Sequence, residues 1–281
     1  MRPVKIFTDS TADLGKELLE KFDIESVPLY VQFPNKTYKD GIDINTNQLY
    51  ALVDEHKQLP KTAATSPGDF ITKFKPWIEQ GYDIVFIGIS SKFSATLQSA
   101  LLASVDFPND RIFIVDSKNL STGIGLLVLK AKDFRDQGLS AKEIKEQVEE
   151  IVPRVRSQFA IKVLDYLHKG GRASGTSALV GKMLRVRPII KVVGGEMVVY
   201  KKPMGSMRKA LDIMLDDYMR TEIDSDYVFI THTMGDSQAK YLYDYISANK
   251  LPENLFITTA GCVISSHCGP GTIGILYIEN D

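Results

Sequence analysis

Hydroxyl-bearing loops and one histidine carry the chemistry open to this chain of 281 residues. The richest loop is Ser90-Ser91-Lys92-Phe93-Ser94-Ala95-Thr96. It follows the apolar, β-branched run Asp83 to Ile89 and precedes the helix-forming run Leu97 to Ala103. A buried strand that ends in hydroxyls and feeds a helix offers free N–H groups and the positive end of a helix dipole. That combination suits a carboxylate or a phosphate. Capping of the helix by Ser91 or Ser94 is the plainer use of the same residues. Asp9-Ser10-Thr11-Ala12-Asp13 and Asp116-Ser117 repeat the arrangement after two more strand-like runs. In an open α/β sheet, ligands bind beyond the carboxyl ends of the strands. Asp9, Ser10, Ser94, Asp116 and Ser117 are therefore expected around one crevice. His267 stands before Gly269-Pro270-Gly271, a stiff turn that would fix its imidazole. Two chemistries follow. One is anion binding by hydroxyls. The other is acyl hydrolysis or transfer, with Ser94 as nucleophile, His267 as base, and Asp9 or Asp116 orienting the ring.

Other chemistries are excluded by spacing. Gly88-Ile89-Ser90-Ser91-Lys92 lacks the second glycine of a hydrolase nucleophile elbow, which also weakens the acyl-transfer reading. Gly175 to Lys182 has five residues between its glycines, where a phosphate-binding loop has four, and Met183 stands where that loop needs a hydroxyl. No Gly-x-Gly-x-x-Gly follows the first strand, which argues against a dinucleotide. Asp13 comes too late after Asp9 for the Asp-x-Asp pair of phosphatases. Cys262 and Cys268, the only cysteines, have no second ligand pair at zinc spacing, and read as buried thiols.

The elements that must position these residues alternate. Strand Val4–Thr8 precedes helix Leu14–Phe22, strand Ile24–Phe33, a turn or short edge strand at Thr37–Gly41, and helix Thr46–Gln58. The breaker-rich loop from Pro60 to Phe70 opens a helix to about Gln80. Strand, serine loop and helix follow, then strand Arg111–Val115. Helix Ile124–Asp136 starts apolar on nearly every side, which marks it as buried. A charged helix, Lys142–Val152, links to a second half of different pattern. There a strand over Gln158–Leu164 and a turn at Tyr166–Ser174 lead to a short helix, Ser177–Leu184. A hairpin turns at Gly194-Gly195, and helix Lys209–Arg220 comes next. Strands Tyr227–His232 and Leu255–Thr259 flank helix Ser237–Ala248. The segment from Val263 to Gly274, with its Gly-Pro-Gly turn, precedes the strand Ile275–Ile278. The expected fold is α/β followed by α+β, divided as 1–155 and 156–281.

Composition bounds the setting. Hydrophobic and charged contents of 44% and 25% are those of a globular protein, and the net charge of −1 excludes a generic nucleic-acid binder. No signal core precedes the first strand and no apolar run is long enough for a bilayer, so a cytoplasmic protein is expected. Charge is uneven, however. From Pro153 to Lys209 thirteen basic residues face two acids, a surplus of eleven, and the remainder carries twelve negative charges. That asymmetry points to a basic face for an acidic partner, a phosphate or an anionic membrane.

Several strings resemble the DegV family, the fatty-acid-binding (FakB-type) subunits of bacterial fatty acid kinase. They are Ile6 to Leu14, Lys61-Thr62 with Ser66-Pro67-Gly68-Asp69-Phe70, Ser90 to Thr96, Val115-Asp116-Ser117, Gly170-Gly171-Arg172 and His267 to Gly271. They occur in family order across essentially the whole chain. The resemblance implies a two-domain fold, mainly parallel α/β/α and then α+β, with a fatty acid in a tunnel between the domains. By motif, Thr62, Ser94 and His267 would hold the carboxylate. Asp9, Ser10, Ala95, Asp116, Ser117 and Ile124 are the candidate lining. The sequence departs from the family pattern at Ala63-Ala64-Thr65-Ser66, where Ser-Gln-Pro-Ser is usual, and at Ala95, where glycine is usual. Ala173 and Cys268 replace commoner aliphatics.

The function implied is that of a carrier and not an enzyme, with no cofactor and no metal. Its partners would be a long-chain fatty acid, a separate ATP-dependent kinase, and transiently an anionic membrane surface, with no nucleic acid. It would hold the acyl phosphate on the way to phospholipid synthesis. Arg172, exposed by two glycines within the basic segment, is the candidate kinase contact. An ion pair with Asp165 is the structural alternative.

Overall fold

A computed structural model describes residues 2–172 and 186–280. The chain opens with β1 (Val4–Asp9), α1 (Gly15–Lys21) and β2 (Ile24–Val27). The strand expected over Ile24 to Phe33 is two strands. Pro28 has no N–H to continue a ladder, and beyond it the chain enters another sheet. That sheet joins β3 (Tyr30–Phe33), β4 (Lys36–Lys39) and β5 (Lys61–Ala63) antiparallel in the order β4-β3-β5. Helix α2 (Thr46–His56) lies between β4 and β5 in sequence, its start fixed by a reciprocal Asn45–Gln48 capping box. The same device, Ser66 with Asp69, starts α3 (Pro67–Glu79). Then come β6 (Asp83–Gly88), α4 (Thr96–Ser104), β7 (Ile112–Asp116), α5 (Thr122–Asp136) and α6 (Ala141–Ile151).

Strands β2-β1-β6-β7 form an all-parallel sheet. Strand side chains alternate between its faces. Phe7, Ile84 and Phe86 pack with Phe70 and Phe74 of α3, whereas Ile6, Val85 and Ile87 face α5 and α6.

The second half is built on β8 (Val155–Ala160), α7 (Leu164–Gly170), β9 (Ile189–Val193), β10 (Glu196–Lys201) and α8 (Met207–Arg220). It continues with β11 (Ile223–Thr233), α9 (Asp236–Asn249), β12 (Asn254–Thr259), α10 (Cys262–Cys268) and β13 (Thr272–Glu279). Its six-stranded sheet has the order β10-β9-β8-β13-β11-β12, antiparallel except for β11 with β12. One expectation needs correction. Residues 164–170 are helical, not a turn, and among the described residues the turn is at Gly171, a left-handed C-cap at φ +67°. Ala173 and Ser174, the expected end of that turn, lie outside the described residues. The segment from Val263, for which the sequence suggests no element, begins within helix α10. The helix expected at Ser177–Leu184 lies outside the described residues.

Helix α5 lies between the two sheets. Its residues from Thr122 to Ala131 are buried, and one continuous core joins it to Ile6 and Val85 on one side and to Phe159, Phe229 and Leu276 on the other. The expected buried helix is found. Close approach explains its glycines. A Cβ on Gly123 would overlap the Asn119 side chain and lie 2.5 Å from Ser157 Oγ, and one on Gly125 would lie 2.8 Å from Leu14. Helices α8 and α9 cover the far face of the second sheet with Leu211, Met214 and Leu242. No helix among the described residues is long and apolar enough to cross a membrane.

Candidate functional site

A cavity of about 420 Å³ takes its walls from both halves. Apolar side chains dominate: Leu29, Ile89, Phe93, Leu120, Phe159, Leu167, Met197 and Leu276. Polar groups also line it, among them Thr62 from β5, Ser94 before α4 and His267 on α10, with the exposed Arg172 and Lys92. The three residues singled out as carboxylate ligands thus border one space, although they lie far apart in sequence.

Their hydrogen bonds define what they can still donate. His267 Nε2 and Thr62 Oγ1 are 2.8 Å apart. Burial, and then the nearby Arg172 charge, lower the His267 pKa to about 4, so the ring is neutral at pH 7. Its Nδ1 is buried with no hydrogen-bond partner among the described residues, and a Cβ on Gly170 would come within 2.5 Å of it. A bare lone pair is the cheaper group to leave there, because orphaned N–H donors are the rarer defect. The proton then sits on Nε2 and is donated to Thr62. The Thr62 hydroxyl keeps its own proton for the cavity.

Ser94 is arranged to the same effect. Its Oγ accepts from Thr96 N at 3.2 Å and lies 2.9 Å from Thr96 Oγ1. When Thr96 Oγ1 is the donor, both lone pairs of Ser94 Oγ are filled and its single proton is free for the cavity. The N-cap of α4 is Ala95, with no side-chain cap, so Ser94 is not the cap foreseen; it accepts from Thr96 N one residue further in. Ser91 does not cap. Its hydroxyl bonds Asp116 Oδ2 at 2.6 Å.

The rest of the expected ring does not assemble. Ala95 lines the cavity, but Asp9, Ser10, Asp116, Ser117 and Ile124 do not. Asp9 accepts from Thr11 N and Ile89 N, at 2.9 and 2.8 Å. Ser10 donates to Asp40 and accepts from Leu29 N. Asp116 accepts from Ser91 and Lys118 N, and Ser117 closes a turn with Asn119. These side chains latch the loops together, so they are turned away from the ligand space. Ile124 is core, and the wall before α5 is Leu120 and Ser121 instead. Asp9 and Ser10 line a second cavity, about 640 Å³, with Asp13 and Asp40. Burial raises all three carboxyls, Asp9 to about 6.

A nucleophilic triad is likewise not formed. His267 bonds Thr62, not Ser94, and neither Asp9 nor Asp116 reaches the ring. Sequence reasoning missed the Thr231-His232-Thr233 end of β11, which also lines the cavity. The signal was a buried strand ending in three polar residues, as in the loops that were noticed. The thiols of Cys262 and Cys268 are buried as expected, and burial pushes that of Cys268 up to about 12.

Acids from outside the basic segment or distant within the chain meet part of its charge. Lys191 and Lys201 pair with Asp217, Arg208 with Asp212, and Arg156 with Glu279. Arg172 donates to Gly170 O at 2.8 Å, and among the described residues it does not meet Asp165. Lys182 and Arg185 lie outside the described residues.

The family model described as "Uncharacterised protein, DegV family" matches residues 3–280. A DegV domain-containing protein of Clostridium acetobutylicum is 37% identical over 283 residues, 99% of each chain. A protein of Thermotoga maritima named fatty acid-binding protein is 31% identical over 284 residues, 96% of each chain. Among solved structures, a DegV family protein from Thermus thermophilus, described by its fatty acid binding, superposes with a TM-score of 0.91. It is 29% identical, and all of both chains is covered.

Proposed function

Because this chain belongs to the DegV family, we propose that it binds a long-chain fatty acid, with the carboxylate on Thr62 and Ser94 and the acyl chain along the apolar walls. One observation carries the reading: the Thr62 and Ser94 hydroxyls, each able to donate, stand together at the edge of a mainly apolar cavity that both halves build. A carboxylate brought into such a space must be hydrogen-bonded or it takes up a proton. Each buried methylene adds ~0.8 kcal/mol. His267 contributes by orienting Thr62. The relatives from Thermotoga and Thermus carry the same description of fatty acid binding.

Native mass spectrometry of freshly purified protein tests this directly, with a co-purified fatty acid as the expected result. Thr62→Ala and Ser94→Ala should each weaken binding by ~1.5–3 kcal/mol, the worth of one hydrogen bond to a charged group. Unchanged titrations for both would remove them from the site.

The reading extends to a carrier of a fatty acid kinase system. The protein offers the carboxylate to a separate ATP-dependent kinase, then holds the acyl phosphate on its way to phospholipid synthesis. It works in the cytoplasm and touches an anionic membrane only to exchange its ligand. Exposed Arg172 and Lys92 beside the cavity support it, since both suit a group that gains negative charge. Arg172→Ala should keep its bound fatty acid and its melting temperature but lose phosphoryl transfer with the kinase. A variant that melts several degrees lower and transfers normally would move the docking surface elsewhere.

A further inference from the structure

Helix α10 has no side-chain cap of its own, because its N-cap is Gly261. Its leading N–H groups are instead taken by carboxylates more than two hundred positions away. Gly261 N donates to Asp13 Oδ1 at 2.8 Å, Cys262 N to Asp40 Oδ1 at 2.7 Å, and Val263 N to Asp40 Oδ2 at 3.3 Å. Asp13 and Asp40 are only 4% and 2% exposed. A Cβ on Gly261 would stand 3.1 Å from an oxygen of each, so the missing side chain lets both approach.

Both carboxylates also reach the cavity wall. Ser121 donates to Asp13 Oδ2 at 2.5 Å, and Ser121 lines the cavity. Ser10 donates to Asp40 at 3.0 Å and accepts from the backbone of Leu29, another lining residue. At the other end of the helix, five residues or about 8 Å along its axis, His267 holds Thr62. Buried carboxylates without a basic partner are costly, and burial raises both of these. Their helix-end N–H partners and the dipole offset part of that cost.

We propose that Asp40 and Asp13 are positioning residues for the carboxylate site: they pin the start of α10 so that His267 holds the Thr62 hydroxyl toward the ligand headgroup. The inference rests on the carboxylate reading of the site. It predicts an effect on headgroup selectivity, and not merely on stability.

The test compares binding of palmitate and of hexadecanol, which has the same chain and no carboxylate, to wild type, Asp40→Asn and Thr62→Ala. Asparagine keeps one acceptor for Cys262 N and loses the charge and the second acceptor. The palmitate-to-hexadecanol affinity ratio should fall about tenfold in Asp40→Asn, the loss expected when one charge-assisted bond is misaimed. The His267 ring resonances in NMR should shift as well. If the ratio falls in Thr62→Ala but holds in Asp40→Asn, the positioning role is wrong and the carboxylate reading stands. If it holds in Thr62→Ala too, both are wrong. Should Asp40→Asn fail to fold, Gly261→Ala serves instead, since its backbone φ of −63° accepts alanine and its Cβ intrudes on both carboxylates. An unchanged ratio in a folded Gly261→Ala protein would overturn the proposal.

Discussion

Two residues change the stability of the fold in opposite directions as the protein is acidified. His267 is held neutral by burial, with a pKa near 4 against 6.5 for the unfolded chain. The unfolded state therefore takes up its proton first. The stability this group contributes is present above about 6.5 and is lost as pH falls toward 4. Asp9 runs the other way. Its carboxyl is raised from 3.8 to about 6, so its contribution is present below 3.8 and lost as pH rises through 6. Between pH 7 and pH 5 the histidine costs about 2 kcal/mol and Asp9 returns about 1. Hence His267→Asn should gain about 2 kcal/mol on the wild type over that interval, and Asp9→Asn should lose about 1. Urea titrations at the two pH values measure both. A constant difference between His267→Asn and wild type would mean the ring is not held neutral by the fold.

At the scale of elements, the glycines of two helices separate propensity from packing. Gly→Ala in a helix normally gains up to about 1 kcal/mol. Gly68 in α3 has only Ser66 Oγ, 3.8 Å away, near a would-be Cβ. Gly68→Ala should therefore stabilise. Gly123 in α5 faces Asn119 and Ser157, which bond each other at 2.7 Å beneath it. Overpacking there costs ~1–3 kcal/mol, so Gly123→Ala should lower the urea midpoint despite its better propensity. If both variants moved the same way, α5 would not be held as tightly as described.

The same contrast explains what the sequence discloses. Elements with local signals were legible: the breaker-rich loop that opens α3, the apolar circumference of α5, and the Gly194-Gly195 hairpin. Helix α10 was not, because its caps are Asp13 and Asp40, remote in the chain. The short α7 was missed because Val163 gives it no side-chain cap. Thr62, Ser94 and His267, which border one cavity, were singled out through motifs. Asp9, Asp116 and Ser117 were misassigned because a loop carboxylate or hydroxyl looks alike in sequence whether it meets a ligand or closes its own turn.

At the scale of the whole molecule, one core runs through α5 from sheet to sheet. The two halves should therefore unfold together. Trp77, the single tryptophan, packs in the first half against Tyr82 and under Lys5. Its fluorescence and the far-UV circular dichroism of the entire chain should share one denaturation midpoint. Two separated transitions would mean that the halves are stable apart. If fatty acid is the ligand, as proposed, a hundredfold excess over Kd should stabilise the fold by about 2.7 kcal/mol through mass action and raise that midpoint accordingly. A further consequence lies in the order β8-β13-β11. The strand at the centre of the larger sheet, residues 272–279, is synthesised after every other strand of that sheet. Until it leaves the ribosome, β8 and β11 have no partner on their facing edges, and that sheet cannot close. A nascent chain, or one cut short by a premature stop codon before residue 272, therefore presents two open, largely apolar edges to chaperones and proteases. The cavity, walled in part by Thr272, Gly274 and Leu276, comes into being only with the completed strand.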